Sequence, residues 1–272
     1  MPYRSALSEV LTDAVVPAAP KARAQGRFPR GAVTALGRSG LLGLTVSTEF
    51  GGGGLGLPEA AEVVARTARV CPATAAVLQS HYAAVAVIEA YGGRWVRGEI
   101  GAGRHLSSLA LAETPGEAAE GAAGAWPGVE AQLLMPRAGA ARSLDVVALR
   151  GRKRQVVAAG EADSYVWSTR PLAAPGGLTL WLVPAHAPDL FVPARPDGAG
   201  PDGSATSTVC ADPVLVPSDA MLGEDGAGLD AVLRRVLPWL LELRAAAGLE
   251  TPRRAAVEVD PARRPADSLA AS

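Results

Sequence analysis

The spacing of apolar residues changes near residue 106. Before it, apolar positions recur at helical intervals: Leu7, Val10, Leu11, Ala14 and Val15 form one stripe of a helix expected over residues 3–25, broken by Pro17 and Pro20. A second helix is expected over 28–42, with Pro29 near its start and Gly43 past its end. A third follows the glycine run, with Pro58 in its first turn. The segment from Pro72 to Ala90 is apolar around most of its circumference, as in a helix buried between neighbours. A short helix near 94–100 closes this region.

From Leu106 the period becomes two, or collapses into short apolar runs: LSSLALAE, VEAQLLM, LDVVALR, RQVVAAG, SYVWST, LTLWLVP, LFVP and TSTVCA. Separated by Gly, Pro and Asp, they predict a β-sandwich or barrel. Arg152, Lys153 and Arg154 fall between two such runs, and a solvated hairpin tip is expected there. The stretch from Gly203 to Leu229 joins strands to helix: alternating β-formers, a stop at Val216-Pro217, then Leu222-Gly223-x-x-Gly226-x-Gly228. After it Leu229, Val232, Leu233, Val236, Leu237, Leu240 and Leu241 repeat at helical spacing, with a kink expected at Pro238. The division that follows is helices over 1–105, a β-domain over 106–222, one helix over 223–249, and a tail over 250–272 whose Pro/Arg/Ala-rich composition predicts disorder.

Composition narrows the classes. Hydrophobic residues make up 49% but aromatics only 4%, so the helices should pack closely through Ala and Gly. A net charge of −1 with scattered basic residues leaves no footprint for nucleic acid. Glu9 and Asp13 interrupt any signal-peptide core and no apolar run is long enough to span a bilayer, so a cytoplasmic protein is expected. Cys71 and Cys210 lack metal or dithiol spacing and read as core residues.

Two local features invite a functional reading and decline it. Gly51, Gly53 and Gly56 match GxGxxG, but no strand precedes them and no acid stands near Ala76 for a ribose, so a structural turn is expected. His81 has no His, Cys or carboxylate at ligand spacing and reads as a satisfied core or interface histidine.

Taken in order, several stretches resemble the acyl-CoA dehydrogenase family. They are Gly40-Leu41-Leu42-Gly43-Leu44 with Glu49-Phe50-Gly51-Gly52, His81 on a long helix ending at Tyr91-Gly92, Leu109-Ala110-Leu111-Ala112-Glu113 with Pro115-Gly116, Gly151-Arg152-Lys153 through Ala162-Asp163, and Val216-Pro217 with Leu222-Gly223. The resemblance implies an α+β multidomain fold: an acyl-CoA-dehydrogenase-like N-terminal helical domain, a middle β-sandwich or barrel, and one residual helix of a C-terminal helical domain. It also implies a reaction, in which a glutamate removes the α-proton of an acyl thioester and hydride passes from the β-carbon to FAD.

The same resemblance assigns residues. Leu111, Ala112, Glu113 and Thr114 stand where the family presents a threonine hydroxyl and backbone donors to the flavin; Ala112 carries no hydroxyl. Gln155, Val156 and Val157 stand where it places an aromatic, an isoleucine and a hydroxyl donor, so FAD binding is expected to be weakened or lost. Glu242, two residues before Arg244, is the one carboxylate on the last helix that could match a base placed there in some branches, although i,i+2 spacing sets the two on different faces. Three roles stay open: an FAD-dependent acyl-CoA dehydrogenase that completes its site as a homo- or hetero-oligomer with a related chain, a catalytically inactive interaction or regulatory subunit, and a binder of acyl-CoA or another acyl thioester.

Overall fold

The computed structural model describes residues 3–113, 131–134, 146–193 and 203–248. The expected tail and Thr114 lie outside them. Helices come first: α1 (Tyr3–Val10), a π-helical turn (Leu11–Val15), α2 (Val16–Gln25), α3 (Arg30–Arg38), α4 (Leu57–Ala68), α5 (Pro72–Tyr91) and α6 (Arg94–Gly101). Strands follow as β1 (Ser107–Ala110), β2 (Ala131–Leu134), β3 (Val146–Val156), β4 (Ser164–Thr169), β5 (Thr179–Pro184), β6 (Leu190–Phe191), β7 (Ser207–Pro217) and β8 (Met221–Leu222). The chain then returns to helix in α7 (Gly228–Ala231), a second π-helical turn (Val232–Val236) and α8 (Leu237–Ala246). Among these helices none is long and apolar enough to cross a membrane.

The strands form two four-stranded sheets, ordered β1-β4-β5-β8 and β2-β3-β7-β6. Among the described strands β1 and β4 pair parallel, Ser107 opposite Ser164 and Ala110 opposite Trp167, and the other strand pairs are antiparallel. The expected break at Arg152–Arg154 is absent. Residues 146–156 are one strand running beside β7, and instead of a solvated tip the position of Lys153 is fully buried. A strand alternates its faces, so a basic triplet sends its middle member inward when it continues rather than turns.

The prolines also behave differently from expectation. Pro17 and Pro20 do not end the first helix, which runs on to Gln25. Each π-helical turn is followed within two residues by a proline, Pro17 after the first and Pro238 after the second. The wider turn makes room for the ring and relieves its clash with the preceding carbonyl, which has no proline N–H to accept from, so the helix continues.

The long helix α5 is buried along most of its length and packs on α4 and β1. His81 on it is a core residue, as expected: Nε2–H donates to the Leu42 carbonyl at 2.9 Å and Nδ1 accepts from the Ser107 N–H at 3.2 Å. Burial holds its pKa down at about 4, against the opposing pull of the Leu42 and Ser107 contacts. Cys71 and Cys210 are buried free thiols. The GxGxxG run is the structural turn expected of it, with Gly51 at φ 77° and Glu59 accepting from the Gly56 N–H to cap α4.

Strand gives way to helix through a carboxylate. Asp225 accepts from the N–H groups of Leu172, Ala173 and Ala174 and from the Thr179 hydroxyl, all within 2.6–2.9 Å, and Thr179 in turn accepts from Gly226. Gly226 takes φ 81°, which a side chain would resist, and Gly228 donates to Leu178 at 2.7 Å. Burial pushes the Asp225 carboxyl upward, but the Thr179 hydroxyl and the backbone N–H groups outweigh it and hold the pKa below the usual carboxylate range. This stabilisation is present at neutral pH and is lost as pH falls through the depressed value. Replacing Asp225 with alanine should cost on the order of 2 kcal/mol at neutral pH, measured by urea denaturation, and less in acid; an equal cost at both pH values would refute the charge-based account.

Candidate functional site

The residues that the sequence marks for a cofactor converge at one end of β1. The backbone N–H of Arg154 donates to the Ala112 carbonyl at 2.8 Å, so the segment leaving β1 runs against the far part of β3. There the β3–β7 register slips between Lys153 and Val156, a bulge with Gln155 at φ 53°. A hydroxyl relay fixes the same end from behind. Leu109 N–H donates to Ser80 of α5 at 3.0 Å, Ser80 lies 2.8 Å from the Ser108 hydroxyl, and Ser108 donates to the Val157 carbonyl at 2.6 Å.

Each named side chain can then be placed. Leu111 is half-buried and packs on apolar neighbours, Ala112 is exposed, and Gln155 is exposed on the bulge. Val156 points into the core, and Val157 is half-buried. Glu113 does not face the edge at all, since its carboxylate is ion-paired with the Lys153 ammonium. That ammonium also donates to Ser168 Oγ at 2.8 Å and lies 5.5 Å from the Trp167 ring centroid. Burial pushes the Lys153 pKa down to about 8, with the Glu113 charge and hydrogen bond opposing the shift.

Sequence reasoning missed this pair. Both halves were visible, Glu113 in the first strand segment and Lys153 in a basic triplet, but the triplet was expected at a solvated turn. Glu242 stands elsewhere, exposed on α8 next to the buried Leu243, and it makes no hydrogen bond or ion pair with Arg244. The helix itself packs on α4 and α5.

A flavin ring edge needs donors. The described residues offer it the backbone of the β1 end and the Gln155 amide, whereas Ala112, Val156 and Val157 have no side-chain donor and Glu113 is engaged by Lys153. They do not reproduce a hydroxyl-lined flavin seat. Among the described residues no group of three or more His, Cys, Asp or Glu is placed to hold a metal.

A helical layer whose α5 packs on β1, two four-stranded sheets and a helix after the last strand make up the acyl-CoA-dehydrogenase-like fold. Comparison with known proteins agrees. Residues 2–100 match the acyl-CoA dehydrogenase N-terminal domain. The human short-chain specific acyl-CoA dehydrogenase of mitochondria is 26% identical over 76% of this chain and 49% of its own length. The amino sugar nitrososynthase RubN8 of Streptomyces rubradiris is 32% identical over 79% of this chain and 50% of its own. In structure, TdsC from Paenibacillus sp. A11-2, solved with FMN and indole, superposes with a TM-score of 0.72 at 20% identity, covering 90% of this chain and 60% of that one. The chain belongs to the acyl-CoA dehydrogenase family, whose members bind FAD or FMN. It spans about half the length of the curated relatives it matches.

Proposed function

We propose that this chain is an acyl-CoA dehydrogenase-like subunit that is not redox-competent by itself and serves an FAD-dependent α,β-dehydrogenation of an acyl thioester only within an assembly. The observation that carries the reading is the state of its carboxylates. The platform is kept, with the β1 end and the bulged β3 held together by Arg154, Ser80 and Ser108. Neither carboxylate named for the site is free to take a proton there, because Glu113 is locked to Lys153 and Glu242 faces solvent on α8.

When bound, a flavin supplies the hydride acceptor. The chain's own part is to present a rigid edge and an apolar floor, while the base and the remaining donors come from a related chain. Loss of two hydroxyl donors, at about 1–3 kcal/mol each, weakens flavin binding by roughly 30-fold to 10⁴-fold. The chain purified alone should therefore lack the visible flavin absorbance band and should not reduce an electron acceptor when given an acyl-CoA. A yellow protein with one flavin per chain that turns over acyl-CoA would overturn the proposal. If flavin and acyl-CoA are both ignored even beside a related chain that carries the complement, the interaction-subunit alternative stands in its place.

A further inference from the structure

We propose that the cleft between α3 and the start of the β-domain binds a small monocarboxylate with a compact apolar body. The cleft has a volume of about 330 Å³, at the small end of ligand pockets, which run to roughly 300–1,000 Å³. Its walls are α3, the segment joining α6 to β1, and the turn joining β3 to β4. It therefore stands at the opposite end of β1 from the flavin edge: His105 and Leu106 lead into Ser107, whereas Ala112 lies past Ala110. Val33, Leu42 and Leu106, all buried, give it an apolar floor.

The polar groups above that floor differ in what they already hold. Arg30 is ion-paired with Glu161, and Arg104 grips Glu99 through Nε and Nη2 at 3.0 and 2.6 Å. Arg38 makes no hydrogen bond or ion pair with the described residues, and neither does the hydroxyl of Thr34 one turn earlier on α3. On the facing wall His105 is only 8% exposed, with Nε2 2.8 Å from the Ser164 hydroxyl, which lies 2.9 Å from that of Ser107. Its Nδ1 has no hydrogen-bond partner among the described residues. With Ser164 donating to Nε2, Nδ1 carries the proton and is a donor without an acceptor. A guanidinium fork, a hydroxyl and an imidazole N–H beside an apolar floor suit a carboxylate. The carboxylates at the mouth limit its charge. Glu161 and Asp163 both line the cleft, Asp163 held there by the Leu106 N–H at 2.7 Å, so a second negative charge on the ligand would meet its like.

This site goes beyond the flavin reading and does not depend on it, since its test reads binding and not turnover. Isothermal titration of the purified chain with benzoate should show saturable binding at a single site. Arg38→Gln should weaken it by about tenfold or more, the size of a lost charge-assisted hydrogen bond. Thr34→Glu, which sets a carboxylate one turn from Arg38, should abolish it. Both positions are exposed on α3, and circular dichroism verifies that each variant is folded. No saturable binding of benzoate would overturn the proposal, and so would binding that both folded variants leave unchanged. Tighter binding of inorganic phosphate would reject the single charge, and binding of benzylammonium in preference to benzoate would reject its sign.

Discussion

Replacing Glu113 with alanine is expected to destabilise the fold by about 3–5 kcal/mol, read as the loss of unfolding free energy in urea at neutral pH. The reason is the place of Lys153. Its side chain has no exposed surface, and its ammonium is held by the Glu113 carboxylate, the Ser168 hydroxyl and the Trp167 ring. Removing the carboxylate leaves a buried cation, which must then shed its proton or draw water into the core. The two partners are not equivalent to one another in this respect. Lys153→Met removes the cation together with its desolvation cost, so it should cost less than Glu113→Ala, and the double variant Glu113→Leu with Lys153→Met should recover much of the loss.

The sign of the pH dependence follows from the same burial. With the folded pKa of Lys153 pushed down to about 8, below that of an unfolded lysine, the unfolded chain binds the extra proton in the interval between them. Stability should rise with pH across that interval in the native sequence. Without Glu113 the folded pKa falls further, and the rise should begin at lower pH. A Glu113→Ala variant within about 1 kcal/mol of the native chain would mean that the pair contributes nothing beyond a surface contact.

Acidification should expose a second large effect, centred on His81. The unfolded imidazole takes a proton near 6.5, whereas the buried one resists until about 4. Stability is complete above the unfolded value and drains away as pH falls between the two, by roughly 3 kcal/mol at 1.36 kcal/mol per pKa unit. The cause is burial: the imidazolium would have to form within the core, away from water, and the Leu42 and Ser107 contacts oppose that cost only in part. Comparing urea midpoints at neutral and acid pH for the native chain and for His81→Gln separates this contribution from the acid sensitivity of Asp225. If both chains lose the same stability on acidification, His81 is not its source.

The parts of the fold written in local pattern were legible. The 72–91 helix and the strand 164–169 stand where periodicity put them, because each is buried on enough of its surface to be apolar throughout. Arg152 to Arg154 defeated the reading, since charge normally signals solvent and nothing local says that the middle residue has a counterion forty positions away in Glu113. Pro17 defeated it for a different reason: the turn before it widens into a π-helical turn that lets the helix run on, and sequence does not display that freedom. For the site, residue order located the edge where β1 meets β3. Which way each side chain points along that edge depends on the bulge at Gln155, a non-local property of the β3–β7 register.

The π-helical turns deserve to be seen as gears. In the second, the inward positions are Ala231 and Val236, five apart, and after it Val236 and Leu243, seven apart. One extra residue in the turn advances the rest of the helix by about a quarter of a revolution relative to a regular α-helix. The early part can thus lie against β5 while the later part seats on α4, and the leucines at 233, 237 and 241 keep a common outward bearing across the change of pitch.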